Sequence, residues 1–213
     1  MKADIFNRHA DGLPVEFLKA LAYHESGLDP AKVNPASNAT GLFQITAPVL
    51  IDFNKTRQTT HTLTDLKDAD LAAAVAVYHL KRIIAHWKES PALAADFDNR
   101  RFVELLVFGW NAGPNAVLRI ATRLEKIGVA ADRITVDAVH DAAKAVAPET
   151  FVARPERVGF AKQVAATYFD VRDGRGRMVA ELAAKDDKGS LAPAVMAAIG
   201  VGAAAVAVSE NDG

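Results

Sequence analysis

Apolar residues recur at helical spacing through much of this chain, and one such stripe ends on an acid. Leu18, Leu21 and Glu25 follow one another at intervals of three and four residues, which places them on one face of a helix. Pro14 suits the first helical turn, and Gly27 suits the position just after the last one. The pattern therefore predicts a helix that begins beside Pro14 and ends at Glu25.

The same periodicity predicts most of the remaining architecture. Further helices are expected at about 68–87, 100–110, from 114 onward, 136–146 and 158–168. Strand signals are scarce, and the best one lies at 41–45. The sequence therefore predicts a mainly α fold with little or no β-sheet.

The composition changes after residue 172. Residues 173–190 are largely polar, whereas residues 191–208, LAPAVMAAIGVGAAAVAV, carry no charge. That length is at the lower edge of the roughly 17–25 residues that a membrane-spanning helix needs. We expect a folded domain over 1–172, a polar linker over 173–190 and an apolar tail over 191–213. The tail is expected to contact a membrane, a partner protein or the domain itself.

Charge and cysteine content exclude several classes of function. The 213 residues include 25 Lys and Arg against 26 Asp and Glu, and the formal net charge is −1. A balanced chain has no field that would attract nucleic acid, so no nucleic-acid partner is expected. The absence of cysteine excludes a disulfide scaffold, thiolate zinc sites and a cysteine nucleophile.

Three short segments carry a joint motif. They are ESGLDP at 25–30, SNATGLFQI at 37–45 and GWNAGPNAV at 109–117. Together they resemble the lytic transglycosylases with a soluble-transglycosylase (SLT), lysozyme-like domain, whose patterns read E-S-G-x-x-P, S-x-A-x-G-L-x-Q and Y-N-A-G. The order and spacing agree, and the resemblance covers about residues 5–170. It implies a lysozyme-like fold, glycan strands of peptidoglycan as the partner, and no cofactor or metal.

The resemblance implies that Glu25 is the catalytic acid and base. The bond cleaved in this family is the β-1,4 bond between N-acetylmuramic acid and N-acetylglucosamine. A glycosidic oxygen leaves only when protonated, and partial burial at an apolar helix end favours the neutral carboxyl that can protonate it. The alternative is an exposed residue at a helix C-terminus, where the helix dipole disfavours a negative charge.

A second carboxylate is the usual requirement for glycoside hydrolysis. Those near Glu25 in sequence are Asp29, Asp52, Asp65, Asp68 and Asp70. In lytic transglycosylases the C6 hydroxyl of muramic acid attacks C1 instead, and the product carries a 1,6-anhydro end. A hydrolytic muramidase on the same fold stays open, as does a non-catalytic glycan-binding protein of a virion or cell envelope.

Further site residues follow from the resemblance. Ser37, Gln44 and Asn111 match positions that bind the sugar, although plain turn chemistry is an alternative for Ser37. Trp110 replaces the family tyrosine and keeps an aromatic face and a donor. Phe151, in PETFVARPERV, is a stand-in for the aromatic residue of a later family motif, E-T-x-x-Y-V. Structural roles within the motifs are assigned to Ser26, Gly27, Gly41 and Gly113.

Neither catalysis nor metal binding is expected of His24, His79 or His86, which lie on predicted helices. His24 adjoins Glu25 but points about 100° away around the helix, so a solvated neighbour is expected. His79 and His86 are too far apart for a shared metal.

The N-terminal residues lack the apolar stretch of a signal peptide. A bacteriophage virion protein, or one delivered to the bacterial periplasm or cell wall, is therefore expected.

Overall fold

The computed structural model describes residues 4–175, which form eight α-helices joined by loops and 3₁₀ helices. The α-helices are α1 (Asp4–His9), α2 (Val15–Ser26), α3 (Ala47–Arg57), α4 (Ala69–Trp87), α5 (Arg100–Ala112), α6 (Pro114–Lys126), α7 (Val136–Val146) and α8 (Pro155–Arg172). The 3₁₀ helices are Leu63–Lys67, Pro91–Leu93, Ala131–Arg133 and Phe151–Ala153. Within 4–175, no helix is long and apolar enough to cross a membrane.

The mainly α prediction is confirmed, and its misses have local causes. No strand occurs among the described residues, and the best strand signal, at 41–45, lies in a loop where only isolated bridges join Val33 to Thr40 and Thr40 to Ile45. Positive φ angles at Gly41 (83°) and Gln44 (48°) turn the chain there instead. The helices α1 and α3 were not predicted, since α1 has six residues and α3 buries few apolar side chains.

The centre of the core is α5. Apolar side chains are buried on several of its sides, among them Phe102, Leu105, Leu106 and Phe108. α8 packs extensively against both α5 and α2, while α4 and α6 also contact α5. This packing brings the C-terminal ends of α2 and α5 together, although they are distant in sequence.

Gly109 sets the approach of α4 to α5. A Cβ atom at Gly109 would lie 2.5 Å from ring atoms of Trp87, so only glycine fits beneath that indole. The Trp87 Nε1–H donates to the Pro114 carbonyl oxygen (3.0 Å), which ties α4 to the first residue of α6. The corner between α5 and α6, which carries Trp110 and Asn111, is thereby held in place.

The structure describes residues 4–172 of the predicted domain and only the start of the predicted linker. The expected linker begins in it, at Asp173–Arg175, but residues 176–213, including the apolar segment 191–208, lie outside the described residues. The division at residue 172 therefore stays a prediction, although α8 does end there.

Candidate active site

Glu25 occupies the last turn of α2, where the helix leaves the core. Leu18 and Leu21, on the same stripe, are completely buried, whereas Glu25 is half-buried. Gly27 ends the helix in the left-handed conformation (φ 68°), and its N–H donates to the Tyr23 carbonyl oxygen (2.8 Å). The carboxyl is thus fixed at the rim of the core with part of its surface open to solvent.

The carboxyl of Glu25 receives a hydrogen bond from Trp110. The indole Nε1–H, in the last turn of α5, donates to Glu25 Oε1 at 2.9 Å. The ring of His79 on α4 lies against the indole, with 5.2 Å between ring centroids. Trp110 was expected to bind substrate, and the structure adds a direct contact to the proposed acid.

Burial determines the proton affinity of this carboxyl. It raises the pKa of Glu25 from 4.5 to about 7, while the Trp110 hydrogen bond and the positive charges of Lys32 and Arg157 oppose that rise. A group with this pKa exchanges its proton readily near neutral pH, as an acid that must also act as a base requires.

The loop after α2 is braced against Glu25 by backbone carbonyls. Lys32 Nζ donates to the Glu25 carbonyl oxygen (2.8 Å). Gln44 Nε2 donates to the carbonyl oxygens of Lys32 (3.1 Å) and Gly41 (3.0 Å). Gln44 therefore holds the loop in this structure, and its expected contact with sugar stays a prediction.

Ser26 and Gly41 join the first two motifs. Ser26 is buried, and its Oγ lies 2.8 Å from the Leu42 carbonyl oxygen and accepts the Asp29 N–H (3.1 Å). Gly41 has φ 83°, and a Cβ there would lie 2.1 Å from the Leu66 carbonyl oxygen. Both positions serve the shape of the site.

Asn111 and Arg157 form the opposite part of the site. Arg157, in the first turn of α8, donates from Nη1 to the Asn111 carbonyl oxygen. Asn111 itself is half-buried. Gly113 follows with φ 97°, ending α5 through an N–H donated to the Gly109 carbonyl oxygen (3.0 Å). Sequence reasoning missed Arg157, because it lies outside all three motifs and meets Asn111 only through the packing of α8.

Ser37 and Phe151 are two further residues that were predicted to bind sugar. Ser37 is exposed, and its Oγ accepts the Ala39 N–H (3.3 Å) inside a turn that Asn34 stabilises through its side chain. Turn chemistry thus accounts for Ser37 in this structure. The side chain of Phe151 lies outside the described part of the chain, and its role stays a prediction.

The other acids near Glu25 in sequence are engaged elsewhere. Asp29 accepts the Ala31 N–H and Asp68 caps α4. Asp52 bonds Tyr78 and Arg82, Asp65 bonds Thr62, and Asp70 bonds Arg8 and His9. The charged groups acting on Glu25 are both cations. Among residues 4–175, no group of three or more His, Asp or Glu is placed to hold a metal ion.

His24 is not the solvated neighbour that was expected. It is half-buried against α8, where its Nε2 lies 2.8 Å from Thr167 Oγ1 and its ring lies 6.1 Å from that of Phe160. Burial lowers the pKa of His24 and so favours the neutral ring. The expectation failed because helix geometry gives the direction of a side chain and says nothing of what packs there.

Comparison with known proteins places this site in a family. The family model for the transglycosylase SLT domain matches residues 5–126, more than half of the chain. The fold is similar to that of the 70 kDa soluble lytic transglycosylase from Escherichia coli, with a TM-score of 0.56 and 24% identity over 81% of this chain and 24% of that one. This chain thus spans about a quarter of that protein's length, and no curated protein sequence matches it significantly. With Glu25 at the end of α2 and the matched motifs gathered around it, the chain belongs to the transglycosylase SLT domain family.

Proposed function

We propose that this protein is a lytic transglycosylase, which cleaves the β-1,4 bond between N-acetylmuramic acid and N-acetylglucosamine and leaves 1,6-anhydromuramic acid ends. The surroundings of Glu25 carry the proposal. Glu25 is a half-buried carboxyl with a pKa of about 7, it accepts a hydrogen bond from Trp110, and no carboxylate among the described residues acts on it. The family match supports the same activity.

The first step is proton donation. The indole N–H is only a donor, so Trp110 engages Glu25 Oε1 as an acceptor and leaves Oε2 to carry the acid proton. Oε2 protonates the glycosidic oxygen as the bond from C1 to that oxygen breaks. N-acetylglucosamine leaves with the electron pair and the proton, positive charge develops at C1, and Glu25 becomes a carboxylate. The Trp110 hydrogen bond and the charges of Lys32 and Arg157 stabilise that ionised form.

The second step returns the proton. The C6 hydroxyl of muramic acid attacks C1, its oxygen forms the new bond, and its proton passes to the Glu25 carboxylate. Glu25 is regenerated as an acid and no water is consumed. A single acid–base group suffices for this sequence, which agrees with the engagement of Asp29 and Asp52 away from Glu25.

Digestion of purified sacculi tests the proposal. The wild-type protein should release muropeptides with anhydro ends, detected by mass spectrometry, and Glu25→Gln should reduce release by orders of magnitude while the protein stays folded. Glu89→Gln, at an exposed side chain, is the matched control. Reducible muramic acid as the sole new end would show a hydrolytic muramidase. Binding of sacculi without release by the wild type would show a non-catalytic glycan-binding protein.

We also propose that the protein reaches the wall as a virion component or by delivery to the periplasm, with residues 191–208 in contact with a membrane or a virion protein. Support comes from the sequence alone, in the uncharged segment 191–208. Mass spectrometry of phage particles and of periplasmic fractions from the producing cells tests this. Recovery from the cytosol alone would contradict it.

A further inference from the structure

An open groove runs between α6 and α7, and its lining residues do not include Trp110, Lys32 or Arg157, the groups that act on Glu25. Its walls are mainly apolar, with Ala116, Ile120 and Leu124 on one side and Ala143, Val146 and Val152 on the other. Its volume is about 500 Å³, which is within the range of ligand sites. We call it the α6/α7 groove.

One end of each wall of the α6/α7 groove is close in sequence to the candidate active site. Ala116 is the third residue of α6 and follows Trp110 by only six positions, across the Gly113 corner. On the other wall, Val152 precedes α8 by three residues, and Arg157 in the first turn of α8 bonds the Asn111 carbonyl oxygen. Both walls therefore start within a few residues of groups that contact Glu25 or Asn111.

Two arginines border the α6/α7 groove. Arg119 and Arg123 are exposed and lie one turn apart on α6. Neither has a carboxylate within 4.0 Å in the described part of the chain, whereas Arg8, Arg82 and Arg172 each do. The border thus presents two positive charges that no carboxylate of the described residues neutralises by direct contact.

Apolar surface also reaches the open ends of the α6/α7 groove. Ile127 and Val146, which both line it, are 71% and 69% exposed. Large apolar side chains at the rim of a concave site mark a binding surface more than an isolated exposed residue does. A sugar chain, with its many hydroxyls, is a poor match for such walls. The occupant should combine small apolar groups with anionic ones.

We propose that the α6/α7 groove binds the peptide stem of muramic acid. The stem is a short acidic peptide, whose alanine methyl groups suit the apolar walls and whose carboxylates suit Arg119 and Arg123. The lengths agree: α6 extends about 15 Å from Ala116 to Lys126 at 1.5 Å per residue, and four extended residues span at most about 14 Å. This inference rests on the proposed function, because the stem reaches the groove from a muramic acid at Glu25.

The test compares glycan strands that carry stems with strands from which an amidase has removed them. The wild type should have the higher kcat/KM on stem-bearing strands. Reversing both charges, with Arg119→Glu and Arg123→Glu, should lower kcat/KM about tenfold on stem-bearing strands and leave stem-free strands unchanged, since an exposed ion pair contributes up to about fivefold. The matched control is Lys88→Glu with Arg133→Glu, an equal charge change at exposed positions outside the groove.

A second variant fills the groove without changing charge. Ala145 is exposed, helical and part of the lining, so Ala145→Trp should produce the same selective loss. Equal loss on both substrates, or no loss on stem-bearing strands, would overturn the assignment. Truncation after Arg175 should leave the stem preference unchanged. A loss of the stem preference on truncation would place the stem contact on residues 176–213 instead of the groove, and would also overturn it.

Direct binding separates this inference from the proposed function. A soluble L-Ala-γ-D-Glu-L-Lys-D-Ala tetrapeptide should shift the NMR signals of groove residues in the wild type, and those shifts should be lost in the Arg119→Glu, Arg123→Glu protein. If sacculi are not cleaved but the peptide binds there, the proposed chemistry fails and the groove assignment stands. If sacculi are cleaved but the peptide does not bind, the groove assignment fails alone.

Discussion

The raised pKa of Glu25 has a consequence for stability that one substitution isolates. Glu25→Gln keeps nearly the same volume, and its amide oxygen can still accept the Trp110 indole N–H. What it removes is the ionisation of a carboxyl that the folded protein prefers to keep neutral. The variant should therefore be more stable than the wild type at alkaline pH, although the proposed function requires it to be inactive.

The magnitude follows from the two pKa values. The pKa of Glu25 is about 7 in the folded protein and 4.5 without the fold, a difference of about 2.5 units, or about 3 kcal/mol at 1.36 kcal/mol per unit. Below pH 4.5 the group is neutral in both states and contributes no difference. Between pH 4.5 and 7 only the unfolded chain releases the proton, so the wild type loses stability as pH rises, and above 7 the full difference persists.

Urea unfolding at a series of pH values is the measurement. The difference in unfolding free energy, Glu25→Gln minus wild type, should grow by about 3 kcal/mol from pH 4.5 to pH 8. Other groups titrate equally in both proteins and cancel in this difference. Glu89→Gln, at a side chain that is 86% exposed, should show no such growth. A difference that is constant with pH would refute the burial argument and the proposed source of the acid.

Three further predictions concern the surroundings of this carboxyl. Trp110→Phe removes the indole donor, so the pKa of Glu25 should rise and the alkaline limb of the kcat/KM pH profile should move up by about one to two units. Trp110→Tyr restores a donor and should move the limb less. An unmoved limb for Trp110→Phe would contradict the role of the hydrogen bond. Gly41→Ala should lower the free energy of unfolding by more than about 3 kcal/mol, because φ is 83° and the new Cβ would meet the Leu66 carbonyl oxygen. Gly12→Ala, with φ 86° and nothing within 4 Å, should lower it by only about 1–2 kcal/mol. Equal losses, measured by thermal unfolding, would show that the close approach to Leu66 is unimportant. Truncation after Arg175 should preserve both the unfolding transition and cleavage of soluble strands, and a folded but inactive product would place part of the site beyond that residue.

The neutral ring of His79 belongs to the same environment. Burial lowers the pKa of His79 to about 4, so the ring against Trp110 carries no charge at neutral pH. A protonated ring at that position would favour the ionised form of the nearby carboxyl. The site therefore combines a neutral ring against the indole with two cations, Lys32 and Arg157, that act on the carboxyl.

Most helix positions, and Glu25 as the candidate acid, could be predicted from the sequence. The intervals between Leu18, Leu21 and Glu25 depend only on the 3.6-residue repeat, which is a local property of the backbone. The motifs likewise identify residues by their neighbours in the chain. The best strand signal, at 41–45, marks a loop in the structure, because an apolar run does not reveal positive φ angles at Gly41 and Gln44.

Only the tertiary structure decided which groups meet. Trp110 and Glu25 are 85 positions apart, and their hydrogen bond depends on how α5 packs, which includes the fit of Trp87 over Gly109. Arg157 reaches the Asn111 carbonyl oxygen only because α8 lies against α5. The sequence determines what each helix buries, through a repeat that extends over a few turns. The pKa of a carboxyl depends on atoms that converge from distant helices, and no local repeat specifies that convergence.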